Sequence, residues 1–227
     1  MDNKPVAWSH TSLTQFVNCP EQYHQVKVLK KYPFVETPET KWGNMVHKAL
    51  EDRLIRKTAL PGNMVQYEPL MQDLETLPGT AYGEQQLAVK RANYQPTTWF
   101  AKDVWCRGII DAMWVYGKTC FAVDYKTGKY KAESDQLALF AGLIFQHYPE
   151  VQNVHTKFLW LQELGTDKQS TRQSFNRNEK FAIWDKFNPT VDRIQEAYEH
   201  DVWPKRKSGL CGWCPVKDCE NWYQRRV

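Results

Sequence analysis

Asp111, Asp124 and Lys126 lie in two apolar runs separated by Tyr116-Gly117-Lys118-Thr119. Glycine at the first central position suits a two-residue type II′ hairpin loop. With Gly117 and Lys118 as that loop, cross-strand partners have residue numbers that sum to 235, as Asp111 and Asp124 do. The two aspartates are then expected opposite each other on one face, with Cβ atoms about 4.5–5.5 Å apart. Lys126, two residues further on, points to the same face. Like charges placed this way destabilise a strand pair, and buried carboxylates need partners. A divalent cation between them removes the penalty, and hard oxygen donors suit Mg²⁺ or Mn²⁺. Such an ion lowers the pKa of bound water and stabilises charge on a phosphoryl oxygen. Lys126 is placed to orient the attacking water or to stabilise the transition state. The plainer alternative is an Asp–Lys salt bridge within a sheet.

A second group is Cys211-Gly212-Trp213-Cys214-Pro215-Val216-Lys217-Asp218-Cys219, a C-x2-C-x4-C pattern. In a reducing compartment three cysteines so close together suggest metal binding rather than disulfides. Cys19 is the candidate fourth ligand, because Cys106 and Cys120 fall inside apolar strands and read as core thiols. Four thiolates hold either Zn²⁺ or an iron–sulfur cluster, and spacing alone does not choose.

Hydrophobic periodicity supplies the elements that must position these residues. A first helix is expected from about 12 to 19, capped by Ser12 and disturbed by Pro20. Residues 33–40 read as a loop, 44–57 as a helix, and 61–79 as irregular. Strands are expected over 84–90, 104–116 and 120–126. Ser134 caps a helix reaching about Tyr148. A strand over 155–161 and a long helix over 177–202, broken near Pro189, complete the pattern. The expected class is α/β (α+β), a mixed central sheet flanked by helices.

The chain of 227 residues can bury a core of its own. A net charge of +4 is a weak argument for a polyanionic partner. Position says more: Lys129 and Lys131 follow the second strand, Lys205, Arg206 and Lys207 form a run, and Arg225 and Arg226 lie near the end. These are candidate phosphate contacts, with solvated faces as the plain alternative. Ten Trp is a high count, and some are candidates for a binding face. Neither a signal peptide nor a membrane-spanning run is legible, so a cytoplasmic protein without membrane contact is expected.

Gly108-Ile109-Ile110-Asp111 and Val123-Asp124-Tyr125-Lys126-Thr127-Gly128-Lys129 resemble the central motifs of the RecB-type PD-(D/E)XK nucleases. Gln136 with Phe140 resembles that family's helical Gln motif, although Phe replaces its usual Tyr. Gly43-Asn44-Met45-Val46-His47 is similar to its upstream helical His, and Glu84 to the acid of the first core strand. The resemblance implies a restriction-endonuclease-like fold spanning 1–227 as a single domain. It implies His47, Asp111, Asp124 and the Tyr125 carbonyl as ligands of Mg²⁺ or Mn²⁺. Lys126 would be the catalytic lysine, Gln136 would orient groups at the scissile phosphate, and Glu84 would support the site. Cys19, Cys211, Cys214 and Cys219 resemble the iron–sulfur staple of the CRISPR-associated RecB-like nucleases. That likeness, shared by the segment Ser12 to Pro20, implies a 4Fe-4S cluster joining Cys19 to the 203–227 tail, with Zn²⁺ as the alternative.

The function expected from these residues is a metal-dependent DNA nuclease, an exonuclease on single strands or ends by resemblance. The alternatives are a non-catalytic DNA-end-binding or partner-binding module and a zinc-stapled RNA-processing factor. No Walker-type phosphate loop occurs in the sequence, so unwinding would need a partner helicase. Recombination, repair, phage DNA metabolism and CRISPR adaptation all fit, and a homo-oligomer is compatible with the pattern.

Overall fold

In the computed structural model, which describes residues 7–224, the hairpin at Gly117 organises the sheet. Gly117 takes φ +55 while Lys118 is not among the positive-φ residues, as a type II′ loop requires. Strands β3 (Cys106–Tyr116) and β4 (Thr119–Lys126) then pair from Tyr116↔Thr119 to Ala112↔Val123, in the expected register. Strand β1 (Thr80–Val89) lies antiparallel on the other side of β3 and carries the short edge strand β2 (Pro96–Thr97). Helix α5 (Asp135–His147) follows β4, with the Ser134 side chain accepting the Gln136 N–H. It crosses over to β5 (Asn153–Trp160), parallel to β4, and β6 (Ser170–Asn176) closes the other edge antiparallel to β5. The result is a six-stranded mixed sheet ordered β2-β1-β3-β4-β5-β6.

Two compact units divide the chain: residues 36–186 form one, and residues 1–35 with 187–227 form the other. The larger unit holds the whole sheet. Helix α3 (Pro38–Arg56) buries Val46, Leu50 and Leu54 together with Met64, Met71, Ala112, Trp114, Val123 and Tyr125. Each such apolar side chain removed from water contributes about 1.5–3 kcal/mol. On α5, residues 137–145 are all buried. A Cβ on Gly108 would stand 2.8 Å from Leu143 of α5, so β3 and α5 are in contact there.

The smaller unit contains helices α1 (His10–Asn18) and α2 (Pro20–Tyr23), a π turn over His24–Val28, much of helix α6 (Lys180–His200) and the tail. Trp203 stacks flat on His24 at 4.6 Å and packs edge-on to Tyr198. Arg206 Nη1 donates to the Val17 carbonyl at 2.7 Å.

Several elements depart from expectation. Ser9, not Ser12, caps α1, and Ser12 serves as the reciprocal member of the capping box. Helix α3 begins at Pro38, because proline at the first helical position loses no hydrogen bond. The stretch 61–79 contains a 3₁₀ turn (Gly62–Tyr67) and helix α4 (Glu68–Glu75). Helix α6 runs through Pro189. Strands β2 and β6 were not expected. Among the described residues, no helix is long and apolar enough to cross a membrane.

Candidate active site

The β3–β4 ladder stops one pair short of the acidic residues, at Ala112↔Val123. Continuing the register would send the Tyr125 N–H to the Ile110 carbonyl. Instead it donates to Asp111 Oδ2 at 2.7 Å. Side-chain alternation also slips here: Gly108 faces α5, whereas Ala112, of the same parity, joins the cluster under α3. The strands therefore part where the carboxylates lie, and Asp111 clamps the opened backbone of β4.

Two linked groups occupy this opening. In the first, Asp111 Oδ1 lies 3.1 Å from His47 Nδ1 on α3, and the His47 ring meets Tyr125 edge-on at 6.1 Å. In the second, Lys126 Nζ lies 2.5 Å from Asp124 Oδ2 and donates to Gln136 Oε1 at 3.1 Å. Gln136 Nε2 donates to Asp124 Oδ1 at 3.2 Å, which closes a ring of three side chains. The Lys126 ammonium is thus the partner of Asp124 Oδ2, and Gln136 that of Oδ1. Expectation put the two aspartates and Lys126 together on one face. In the structure Asp124 and Lys126 are paired, while Asp111 engages His47 and the Tyr125 amide.

The electrostatics follow from burial. Asp124 is 5% exposed. Desolvation raises its pKa, the Asp111 charge raises it further, and Lys126 and His47 oppose the shift. Burial lowers the His47 pKa, but the hydrogen bond and charge of Asp111, with the charge of Asp124, outweigh that and leave it raised. The Tyr125 phenol is pushed far up by burial and then by Asp111.

Glu84 is exposed, with φ +39, a left-handed conformation unusual for a residue with a side chain. The β1–β3 register runs through Gly83↔Ala112 and Gln85↔Ile110, which sets Glu84 in the row of Asp111. Phe140 is buried and packs near Gly108. Lys129 and Lys131 are exposed beyond β4. In the other unit Lys205 pairs with Glu220 at 3.0 Å, Arg206 is held by Val17, and Lys207 is exposed. Arg225 and Arg226 lie outside the described residues. Sequence reasoning missed Phe158, whose ring lies 4.5 Å from Lys126 Nζ. The parallel register Asp124↔Phe158 places it there, and no local pattern announces it.

Cys19, Cys211, Cys214 and Cys219 line one cavity of the smaller unit. The Ser208 N–H donates to Cys211 Sγ at 3.3 Å. Burial raises the Cys214 pKa, the Val216 amide opposes this, and the other three thiols add to the rise. Cys106 and Cys120 are core thiols: burial pushes Cys106 well up and Cys120 to about 12. Among the described residues, no three Cys, His, Asp or Glu side chains are yet drawn into metal-holding geometry. The donor sets nevertheless fit: a buried carboxylate, Asp124, close enough to Asp111 for its charge to be felt, and the Asp111–His47 pair suit a hard cation. Four thiols around one cavity suit Zn²⁺ or an iron–sulfur cluster.

No curated protein matches the chain. Among solved structures it is similar to SSO0001, at 13% identity and a TM-score of 0.47, over 96% of this chain and 88% of that one. It is likewise similar to a candidate exonuclease from Eubacterium rectale, at 13% identity and a TM-score of 0.45, over 97% of this chain and 88% of that one. The model of the PD-(D/E)XK nuclease superfamily matches residues 7–219, a span that includes His47, Glu84, Asp111, Asp124, Lys126, Gln136 and the four clustered cysteines. The chain therefore belongs to the PD-(D/E)XK nuclease superfamily.

Proposed function

We propose that this nuclease is a Mg²⁺- or Mn²⁺-dependent deoxyribonuclease of the RecB-like, iron–sulfur branch, acting as an exonuclease on single strands or DNA ends. The observation that carries the proposal is the opened β3–β4 ladder, with Asp111 and His47 on one side and the Asp124–Lys126–Gln136 ring on the other. Asp111, Asp124, His47 and the Tyr125 carbonyl would hold the cation. When bound, the cation supplies a water of lowered pKa and stabilises charge on the phosphoryl oxygens.

The remaining work falls to the chain's own side chains. Lys126 carries a positive charge beside Asp124 and is the donor nearest to a nucleophilic water held there. Gln136 fixes the ammonium and the carboxylate relative to each other, so neither must be ordered when substrate arrives. The Phe158 ring under the ammonium restricts the lysine further. In the smaller unit, Cys19, Cys211, Cys214 and Cys219 would hold a 4Fe-4S cluster as a structural tie.

The test is degradation of end-labelled DNA and matched RNA with Mg²⁺, with Mn²⁺ and with chelator. Metal-dependent loss of DNA, abolished in Asp124→Ala while binding persists, is expected. An Asp124→Ala variant as active as wild type would sink the mechanism, and preferential loss of RNA would replace the substrate. Anaerobic purification, a visible spectrum and iron and zinc quantification test the tie. A broad band with about four irons per chain is expected, and one zinc in a colourless protein would displace the iron–sulfur reading.

A further inference from the structure

The segment between β2 and β3 presents Phe100 with 87% of its surface exposed, the most exposed of the large apolar side chains among the described residues. A single exposed apolar residue is ordinary; its placement is not. The C-terminal ends of β1 and β4 and the N-terminal end of β3 meet at one end of the sheet, where Lys126 also lies. Strand β2 is fixed to that end, because Thr97 pairs with Ala88, which in turn pairs with Arg107. Trp99 lies two residues after Thr97. The Arg107 guanidinium lies 5.3 Å over its ring, and Arg107 Nη1 donates to the Trp99 carbonyl at 3.4 Å. Trp99 is thus braced and half-buried, and the next residue in the chain, Phe100, is exposed, as is Lys102.

Arg107 precedes Asp111 by four residues on β3, so its row lies roughly 13 Å from that of the catalytic acid. A stacked strand rises ~3.4 Å per nucleotide, and an extended one more. The distance therefore corresponds to roughly two to four nucleotides. Aromatic rings beside cations, a few nucleotides from a phosphoryl-transfer site, fit unpaired bases above a tracked phosphate backbone. A paired duplex hides its base faces and offers Phe100 little to stack on.

We propose that Trp99 and Phe100, braced by Arg107, form a stacking platform that grips unpaired bases of single-stranded DNA a few nucleotides from the scissile phosphate. The proposal rests on the nuclease reading above. It goes beyond that reading by assigning the preference for unpaired strands to a defined segment.

The test uses the full chain in chelator, with oligodeoxythymidylate binding followed by fluorescence anisotropy. Phe100→Ala is expected to weaken binding roughly 5- to 100-fold, with Phe100→Trp restoring it and Phe100→Leu failing to do so. Hydrolysis of bis(p-nitrophenyl) phosphate, too small to reach the platform, should be unchanged. With 2-aminopurine scanned along the strand, quenching should peak a few nucleotides from the cleavage position and vanish in Phe100→Ala. A wild-type chain that degrades DNA while Phe100→Ala binds equally well overturns the platform and leaves the nuclease reading standing. Restoration by Phe100→Leu also overturns it, in favour of an apolar contact with the strand that needs no ring stacking. A wild-type chain that neither binds nor degrades single-stranded DNA overturns both.

Discussion

Burial and the Asp111 carboxylate push the Asp124 pKa in the same direction, upward, and Lys126 and His47 only partly compensate. A carboxyl whose folded pKa exceeds its unfolded value, near ~3.9, binds its proton more tightly when folded. Its contribution to stability is therefore lost as pH rises from the unfolded value through the folded one. Asp124→Asn removes that loss. In metal-free buffer at pH 8 the variant should melt at or above the wild-type temperature. It should also lose the Mn²⁺-induced rise in Tm and cleave DNA at least ~100-fold more slowly. Melting several degrees lower would mean that Asp124 is a stabilising ion pair and not a held-open ligand. His47, whose pKa is raised by Asp111 and Asp124 against burial, would have to give up its proton to act as the proposed metal ligand. Mn²⁺ affinity should therefore rise with pH through neutrality. Calorimetry in two buffers of different ionisation heat should register proton release on binding, and His47→Asn should reduce it. Lys126→Ala should lower the cleavage rate by roughly 10²–10³-fold while the Mn²⁺-induced rise in Tm persists; loss of both would reassign the lysine to holding the fold.

At the scale of elements, the contact between β3 and α5 sets the distance between the aspartates and Gln136. A Cβ at Gly108 would stand 2.8 Å from Leu143 Cδ1, and Leu143 is wholly buried, so the side chain has little room to yield. Gly108→Ala should destabilise the protein by about 1–3 kcal/mol. It should also reduce cleavage at temperatures where the protein stays folded, as α5 shifts with Gln136. Thermal melting beside single-turnover cleavage checks this, and full activity in a variant that melts lower would show that α5 position does not govern the site. The hairpin was legible because a Gly-x loop dictates register, and α5 because Ser134 marks its start ahead of an apolar stripe. Other elements were not. Pro38 reads as a breaker unless it is recognised as a first helical residue, and α4 carries a short stripe, Leu70, Met71 and Leu74, that was readable at helical spacing but lies between Pro61 and Gly79 in a stretch read as irregular. Strand β6, with the sequence Ser170-Thr171-Arg172-Gln173-Ser174-Phe175-Asn176, is a polar edge that owes its state to β5. The interruption of the ladder at Asp111 was beyond any alternation argument, because it arises from a side chain competing with the backbone for the Tyr125 N–H.

At the scale of the molecule, residues 36–186 are inserted between two terminal segments that together make the smaller unit. That unit is held by Trp8, Phe16, Tyr23 and Phe187 among its buried residues, a modest apolar core, and by the cavity where Cys19 meets the tail. Which cysteines belonged together was legible only in part. Three were close in sequence, but Cys19 had to be chosen by excluding the two strand thiols. The cluster proposed above would join Cys19 to Cys211 and close a loop of about 190 residues, which by the counting used for disulfides would remove on the order of 5 kcal/mol of unfolded-chain entropy. Cys19→Ser should therefore lower the melting temperature of the smaller unit by roughly 20–40 °C. Limited proteolysis with mass spectrometry should then find cuts in the terminal segments while a fragment spanning 36–186 survives, since its sheet and its α3 and α5 packing lie wholly within it. Hydrolysis of bis(p-nitrophenyl) phosphate should outlast the terminal cuts, because His47, Asp111, Asp124, Lys126 and Gln136 are all on that fragment. If Cys19→Ser instead melts with wild-type protein and keeps the proteolysis pattern, the thiols bear no load. The smaller unit would then be held by its aromatic core alone.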